Sequence, residues 1–417
     1  LVDDREQLDE ADLVLVSPRT PKGELAALLA SLEGTTTPIV ALAHTVMVVF
    51  TTVPGFAPDP QGVERAYDVF MFTVVHARAL PLFAIMFGYG LVQLALRRQA
   101  AGPGAARRVL LRRSAFLFAL GLVHGLLLFS GDILGAYGII GAVLTLLLIG
   151  RGERMYRIGL WYLGVAAAYA AVVATMAAVT LVQGSGEPAE VPASAYVSGS
   201  APTYGAAVLE RLGEWPMTTL MLSAMVFPAW LGAWAARRRI LEEPARHRRL
   251  LTVGAAAGLS AGFAGGLPMG LFSAGWLHAD ASAAMWLKFL HESSGMFAGI
   301  GFVCLFALLS LAYTNAATAQ ADRGPAAPVR AGVNAVAALG RRSLSGYLVQ
   351  SVAWLVLFAP FALDLGAAPN PAVTALASAV GVWLATVAAA ALMERRGLPG
   401  PAERVLRRFA YGRATRA

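Results

Sequence analysis

The sequence has one cysteine, two lysines and few charges of either sign. The single Cys304 excludes an intramolecular disulfide. Inside an apolar run it reads as a small buried hydrophobe. Only 14% of the 417 residues are charged, against about 25% in soluble globular domains. With 57% hydrophobic residues, that deficit rules out the two or three soluble domains that length alone suggests. Also missing are a strand-to-helix GxGxxG, a P-loop, an HExxH and a CxxC pair, so no metal site is expected. The first 35 residues are mixed and rather acidic, so no cleavable signal peptide is expected there.

What the sequence has instead is a series of long apolar runs. A membrane span needs about 20 mostly apolar residues. Such runs lie at 38–55, 69–96, 114–131, 133–150, 158–183, 215–236, 250–277, 285–313, 343–364 and 372–393. The expected fold is all-α: a polytopic transmembrane bundle of about ten helices with both termini cytoplasmic. Runs three and four meet at Ser130-Gly131-Asp132 and read as a helical hairpin. Pro81, Pro228 and Pro268 fall inside runs and should kink them.

Charge placement tests this count. If loops alternate sides, 29 of the 33 Lys and Arg residues fall on one side and only Arg65 and Arg211 on the other; Arg78 and Lys288 lie within spans. Cytoplasmic loops carry the excess of basic residues, which orients the chain. The net charge of +8 is thus a topological signal, and no nucleic-acid partner is expected. The organisation read from the sequence is an atypical N-terminal cytoplasmic segment (1–37), a transmembrane domain (38–393) and a cytoplasmic tail (394–417). The outer loop 184–214 carries Glu187, Glu190, Glu210 and Glu214 and reads as mobile, with a short helix near 205–213. Residues 401–411 read as a basic amphipathic helix on the membrane face.

Ionisable groups inside spans cost about 2.5–3.5 kcal/mol each, so they need partners or a cavity. The candidates are His44, His76, Arg78, His124, Asp132, Lys288, His291 and Glu292. At 1.5 Å per residue, His76, His124 and the 288–292 cluster all lie about 5–12 Å in from the outer ends of their spans. Three spans therefore carry polar groups into the same half of the membrane. Lys288 and Glu292 share a helix face, with His291 beside them. Blander roles stand next to functional ones: Lys288 and Glu292 as interfacial anchors, the histidines as interhelical hydrogen bonds, Asp132 as a helix cap, and Arg78 paired with Asp132 as structural glue.

Several stretches together carry a resemblance. They are Leu82-Phe-Ala-Ile-Met-Phe-Gly-Tyr-Gly90, Arg112-Arg113 with Gly121-Leu-Val-His124, and Gly131-Asp-Ile-Leu-Gly-Ala-Tyr137. Gly340-Arg-Arg-Ser-Leu-Ser-Gly-Tyr-Leu-Val-Gln-Ser351 and Gly400-Pro-Ala-Glu403 complete the set. From about residue 40 to 411 the chain resembles the YeiB-like family of bacterial inner-membrane proteins, whose domain has no known function. It departs from that family at its start, where the Asp-x-Leu-Arg-Gly motif is absent and His44 stands where Asn is expected.

The YeiB-like fold is similar to membrane acyltransferases such as heparan-alpha-glucosaminide N-acetyltransferase, in which an embedded histidine works on an acyl group from cytoplasmic acyl-CoA. That resemblance implies a bacterial inner-membrane location, acyl-CoA (acetyl-CoA) as donor, and His124 or His76 as base or nucleophile. Asp132 would orient the histidine, with Arg78 or Lys288 stabilising an oxyanion. His291 and Glu292 complete the catalytic candidates. Arg112, Arg113, Arg341, Arg342, Tyr347 and Gln350 would hold the donor. The acceptor would be a small molecule, sugar or lipid, and a homodimer is compatible with all of this. The same polar cluster also suits a transporter or flippase, and a non-catalytic membrane partner is the third alternative.

Overall fold

The computed structural model describes residues 60–98, 102–184, 196–319 and 327–411. The segment 1–37, the span expected at 38–55 with His44, and Glu187 and Glu190 lie outside these residues. Among the described residues there is no strand. The helices are α1 (Val63–Phe70), α2 (Ala79–Arg97), α3 (Pro103–Leu127), α4 (Leu134–Leu148), α5 (Glu153–Gln183), α6 (Tyr204–Leu222) and α7 (Val226–Arg237). They continue as α8 (Arg248–Ser273), α9 (Ala281–Ala319), α10 (Ala327–Gly340), α11 (Ser343–Phe358), α12 (Pro371–Arg395) and α13 (Pro401–Tyr411).

Among the described residues, seven helical stretches are long and apolar enough to cross a bilayer: α1–α2, α3, α5, α6–α7, α8, α9 and α12. The apolar helices α4 and α11 have only 15 and 16 residues. At 1.5 Å per residue they reach about 22–24 Å, short of a hydrocarbon core about 30 Å thick. These nine stretches coincide with nine of the ten expected spans. The helix expected near 205–213 is not separate: it forms the first turns of α6.

Two of the three prolines stand directly after an interruption of their runs, as a proline inside a run is expected to. Pro81 and Pro228 each sit at the third residue of a helix that restarts after a break. A proline is tolerated in a first turn because the N–H it lacks has no intrahelical partner there. Pro268 does lie inside α8, as does Pro216 inside α6.

Helices in lipid gain little from hiding apolar surface, so close contact must hold them together. Gly88 of α2 and Gly232 of α7 supply it. A Cβ on Gly88 would overlap the Ala229 carbonyl, and one on Gly232 would overlap the Ile85 carbonyl. The two backbones touch at this crossing, and fully buried Leu82, Tyr89 and Leu91 of α2 make it the centre of the main core. By contrast α5 exposes Trp161, Val165 and Val172, a face suited to lipid.

The long loop is tied down where it is described. Glu214 accepts from the Ser198 N–H (2.9 Å) and hydroxyl (2.6 Å), and Phe129 meets Tyr196 edge to face. Residues 196–200 are thus fastened over the α3–α4 turn. At the opposite end, Tyr89 and Gln93 of α2 both donate to Glu242.

Candidate functional site

The expected polar residues form two clusters rather than one. The first centres on His124 and Asp132. His124 opens the last turn of α3, and Asp132 follows the hairpin turn. Gly121 and Gly135 let α3 and α4 touch at this level, because a Cβ on Gly121 would overlap the Gly135 N and Asp132 Oδ2. Asp132 Oδ2 accepts the Gly135 N–H at 2.7 Å, a cap on the first turn of α4. Its Oδ1 lies 2.9 Å from His124 Nδ1, and both side chains are buried. The angle falls short of an aligned hydrogen bond, so this is a close charge approach. The carboxylate favours the ring proton on Nδ1 and leaves a lone pair on Nε2.

His124 Nε2 has no partner among the described residues. The Tyr347 ring of α11 lies 5.0 Å away. Trp215 of α6 packs against Gly125 and Gly135, and Thr219 reaches Gly135 one turn later. Trp215 Nε1, Thr219 Oγ1 and Tyr137 Oη are also buried without a hydrogen-bond partner. Buried polar atoms nearly always find partners, so a cluster of unsatisfied donors and acceptors around one histidine is a place where a polar molecule can bind.

The second cluster lies where the α1–α2 span breaks. A π turn (Met71–Val75) ends α1, His76 is extended, and Ala77 has φ +64°. Left-handed backbone at a non-glycine is strained, and the break turns Arg78 inward. Arg78 is fully buried. Its Nη1 donates to the His76 carbonyl (2.6 Å) and His291 Nδ1 (2.8 Å), and its Nη2 to the Gly262 carbonyl (2.8 Å). His291 Nε2 lies 2.8 Å from His76 Nδ1, and the two rings stack at 5.1 Å. Gly266 leaves room for the guanidinium, since a Cβ there would overlap Nη2.

The other candidates are placed as follows. Arg78 pairs with His291 and not with Asp132. Lys288 is half-buried one turn before His291, whereas Glu292 faces out of the bundle. Arg112 is exposed, and Arg113 lies 5.7 Å above the Phe87 ring. Arg341 pairs with Glu394 at 2.9 Å. Arg342 is buried, and its donors go to Glu394 (2.6 Å), the Ala338 carbonyl (3.1 Å) and the Leu398 carbonyl (2.6 Å). Arg342 therefore clamps α12 to α11 and offers little to a phosphate. Gln350 is buried one turn beyond Tyr347. Sequence reasoning missed Tyr137, Trp215 and Thr219 as neighbours of His124. Tyr137 closes a quoted motif, but nothing in the spacing of Trp215 or Thr219 shows which way they face.

Residues 235–413 match the family model described as "Protein of unknown function (DUF418)". The chain is 23% identical over 326 residues to the uncharacterized protein YxaH of Bacillus subtilis (strain 168), covering 74% of this chain and 72% of that protein. It is 35% identical over 100 residues to the uncharacterized protein YeiB of Escherichia coli (strain K12), covering 22% of this chain and 24% of that protein. The YeiB-like resemblance read from the sequence is thus borne out. The matched domain holds Lys288, His291 and Tyr347; His76, Arg78, His124 and Asp132 precede it.

Proposed function

We propose that this protein is a membrane acyltransferase in which His124 is the general base and Asp132 its orienting carboxylate. The observation that carries the reading is the buried His124, with a carboxylate 2.9 Å from Nδ1 and no protein partner on Nε2. Nε2 takes the proton of an acceptor hydroxyl or amine, and the acceptor atom attacks the thioester carbonyl. As the C–S bond breaks, the imidazolium returns the proton to the leaving thiolate. Trp215 Nε1–H and Tyr137 O–H, both buried without partners, are candidate donors for the developing oxyanion. Arg78 and Lys288, assigned that role from the sequence, lie in the other cluster.

An acyl-CoA donor fits one further feature. An apolar cavity of about 730 Å³ lies between α3, α11, α12 and α13, lined by Phe116, Leu120, Gly346, Val349, Met393 and Val405 among others. Leu120 is one turn before His124, and Gly346 adjoins Tyr347. The cavity thus comes within one turn of His124 along α3 without being lined by it. Bound acyl-CoA supplies the activated acyl group. Arg342 is the one cation in the cavity lining, with its donors already engaged.

The test is turnover of radiolabelled acetyl-CoA and longer acyl-CoAs by the purified protein in nanodiscs. Release of CoA should fall by about 10²–10⁴-fold in His124→Ala. No turnover of any acyl-CoA by the wild type would sink the reading. The break at His76–Arg78 favours a second reading, transport, because discontinuous helices form substrate sites in transporters. Counterflow of a labelled substrate in proteoliposomes, unchanged in His124→Ala, would support it instead.

A further inference from the structure

The second cluster has a charge that no carboxylate among the described residues neutralises. Arg78 is fully buried, and a guanidinium stays protonated in proteins. Its partners are three carbonyls and one imidazole; no carboxylate forms an ion pair with it. Its Nε has no hydrogen-bond partner among the described residues. The elements packed around it add no nearby anion. From α9 come His291 and Lys288; Glu292, exposed one turn beyond Lys288, is close enough to act electrostatically on it. From α8 come only glycine and serine. Asp68 of α1 is engaged by Ser273 Oγ at 2.8 Å, two turns along α8 from Gly266. Burying a cation without a counter-ion is costly, and here a second cation, Lys288, lies close enough to act electrostatically on His76.

The hydrogen-bond logic points the cluster outward. Arginine only donates, so His291 Nδ1 is an acceptor and its ring proton sits on Nε2. That proton faces His76 Nδ1 at 2.8 Å, which must therefore accept. The His76 proton is then on Nε2, a donor with no partner among the described residues, on a half-buried side chain.

We infer that the break in the α1–α2 span is an anion-binding site, separate from His124 and independent of the acyltransfer reading. The anion is a carboxylate or phosphate group, bound by His76 Nε2–H and the Lys288 ammonium, with Arg78 as the fixed charge behind them. Arg78 and His291 act as positioning residues, setting the tautomer that turns a donor outward.

The experiment measures saturable binding of radiolabelled inorganic phosphate and, in a parallel arm, acetate. The purified full chain in nanodiscs is used at constant ionic strength. One of the two probes should bind, and the arm that saturates tells phosphate from carboxylate chemistry. Binding should weaken about tenfold or more in Lys288→Met and His76→Ala. It should persist in Lys288→Arg and in His76→Gln, whose amide can still donate, and in His124→Ala. The half-buried Lys288 makes Lys288→Met the variant least at risk of misfolding, and its monodispersity is checked alongside. Absence of saturable binding for both probes, or equal binding by wild type and Lys288→Met, overturns the inference. Because CoA turnover is not the readout, failure here leaves the acyltransferase reading untouched.

Discussion

Glu403 accepts two hydrogen bonds from Ser345, 58 residues earlier: one from the backbone N–H at 3.0 Å and one from the hydroxyl. Ser345 Oγ in turn accepts the Ala402 N–H at 3.0 Å, and Phe116 meets Phe409 at 5.0 Å. The amphipathic α13 is thereby fastened across the mouth of the apolar cavity, to the start of α11 on one side and to α3 on the other.

Breaking this fastening should free α13. Hydrogen bonds to a charged group contribute about 1.5–3 kcal/mol each. Glu403→Ala and Ser345→Ala should therefore lower the unfolding temperature, and the double variant should be no worse than the more damaging single one. Limited proteolysis near residue 398 checks the local effect. Cleavage unchanged from wild type in Glu403→Ala would show that α13 is held by its apolar face alone.

The two jobs of Asp132 can be separated. In Asp132→Asn the amide oxygen can still accept the Gly135 N–H, so stability should change by less than about 1 kcal/mol. The charge facing His124 is lost, and acyl transfer should fall by about 10²-fold or more. Unfolding curves and CoA release, measured on the same preparation, test both halves.

Gly88 and Gly90 provide a matched pair in one helix. A methyl at Gly88 meets the Ala229 backbone, while at Gly90 nothing lies within 4 Å. Gly88→Ala should destabilise by about 1–3 kcal/mol or more through overpacking; Gly90→Ala should be near neutral or slightly stabilising, because alanine is the better helix former. Equal unfolding midpoints for the two variants would contradict the backbone contact between α2 and α7.

Burial raises the Glu242 carboxyl above its ordinary range, with the Tyr89 hydroxyl acting in the opposite direction. A carboxyl raised on folding binds its proton more tightly in the native state. Its contribution is present below the unfolded pKa and is lost as pH rises through the higher folded value. Wild-type stability should therefore decline over that interval, relative to Glu242→Gln. Thermal unfolding of both proteins across mildly acidic to neutral pH gives the comparison, and parallel profiles would refute it.

Much of the architecture was legible in the linear chain, and the reason is local. Whether a segment is apolar enough to enter lipid depends on its own residues, so nine of the ten expected spans coincide with helices. The same holds for α13, whose alternation of arginine with Val405 and Phe409 specifies an amphipathic helix before any partner is present. Depth was legible too, because helical rise is constant. It put His76 and His291 at similar levels, and the two rings meet at 2.8 Å.

Tertiary structure alone decided what those residues meet. Depth gives the height of a side chain on its helix but not the direction it faces, and helix rotation is set by which small residues let backbones touch. Gly121 and Gly135 bring His124 to Asp132. Gly266 makes room for Arg78 against α8, while the break at Ala77 turns it toward His291 and away from Asp132. One expected cluster thus became two. Arg342, which in the sequence is one more cation at a basic mouth, became a clamp because Glu394 and the Leu398 carbonyl lie within its reach.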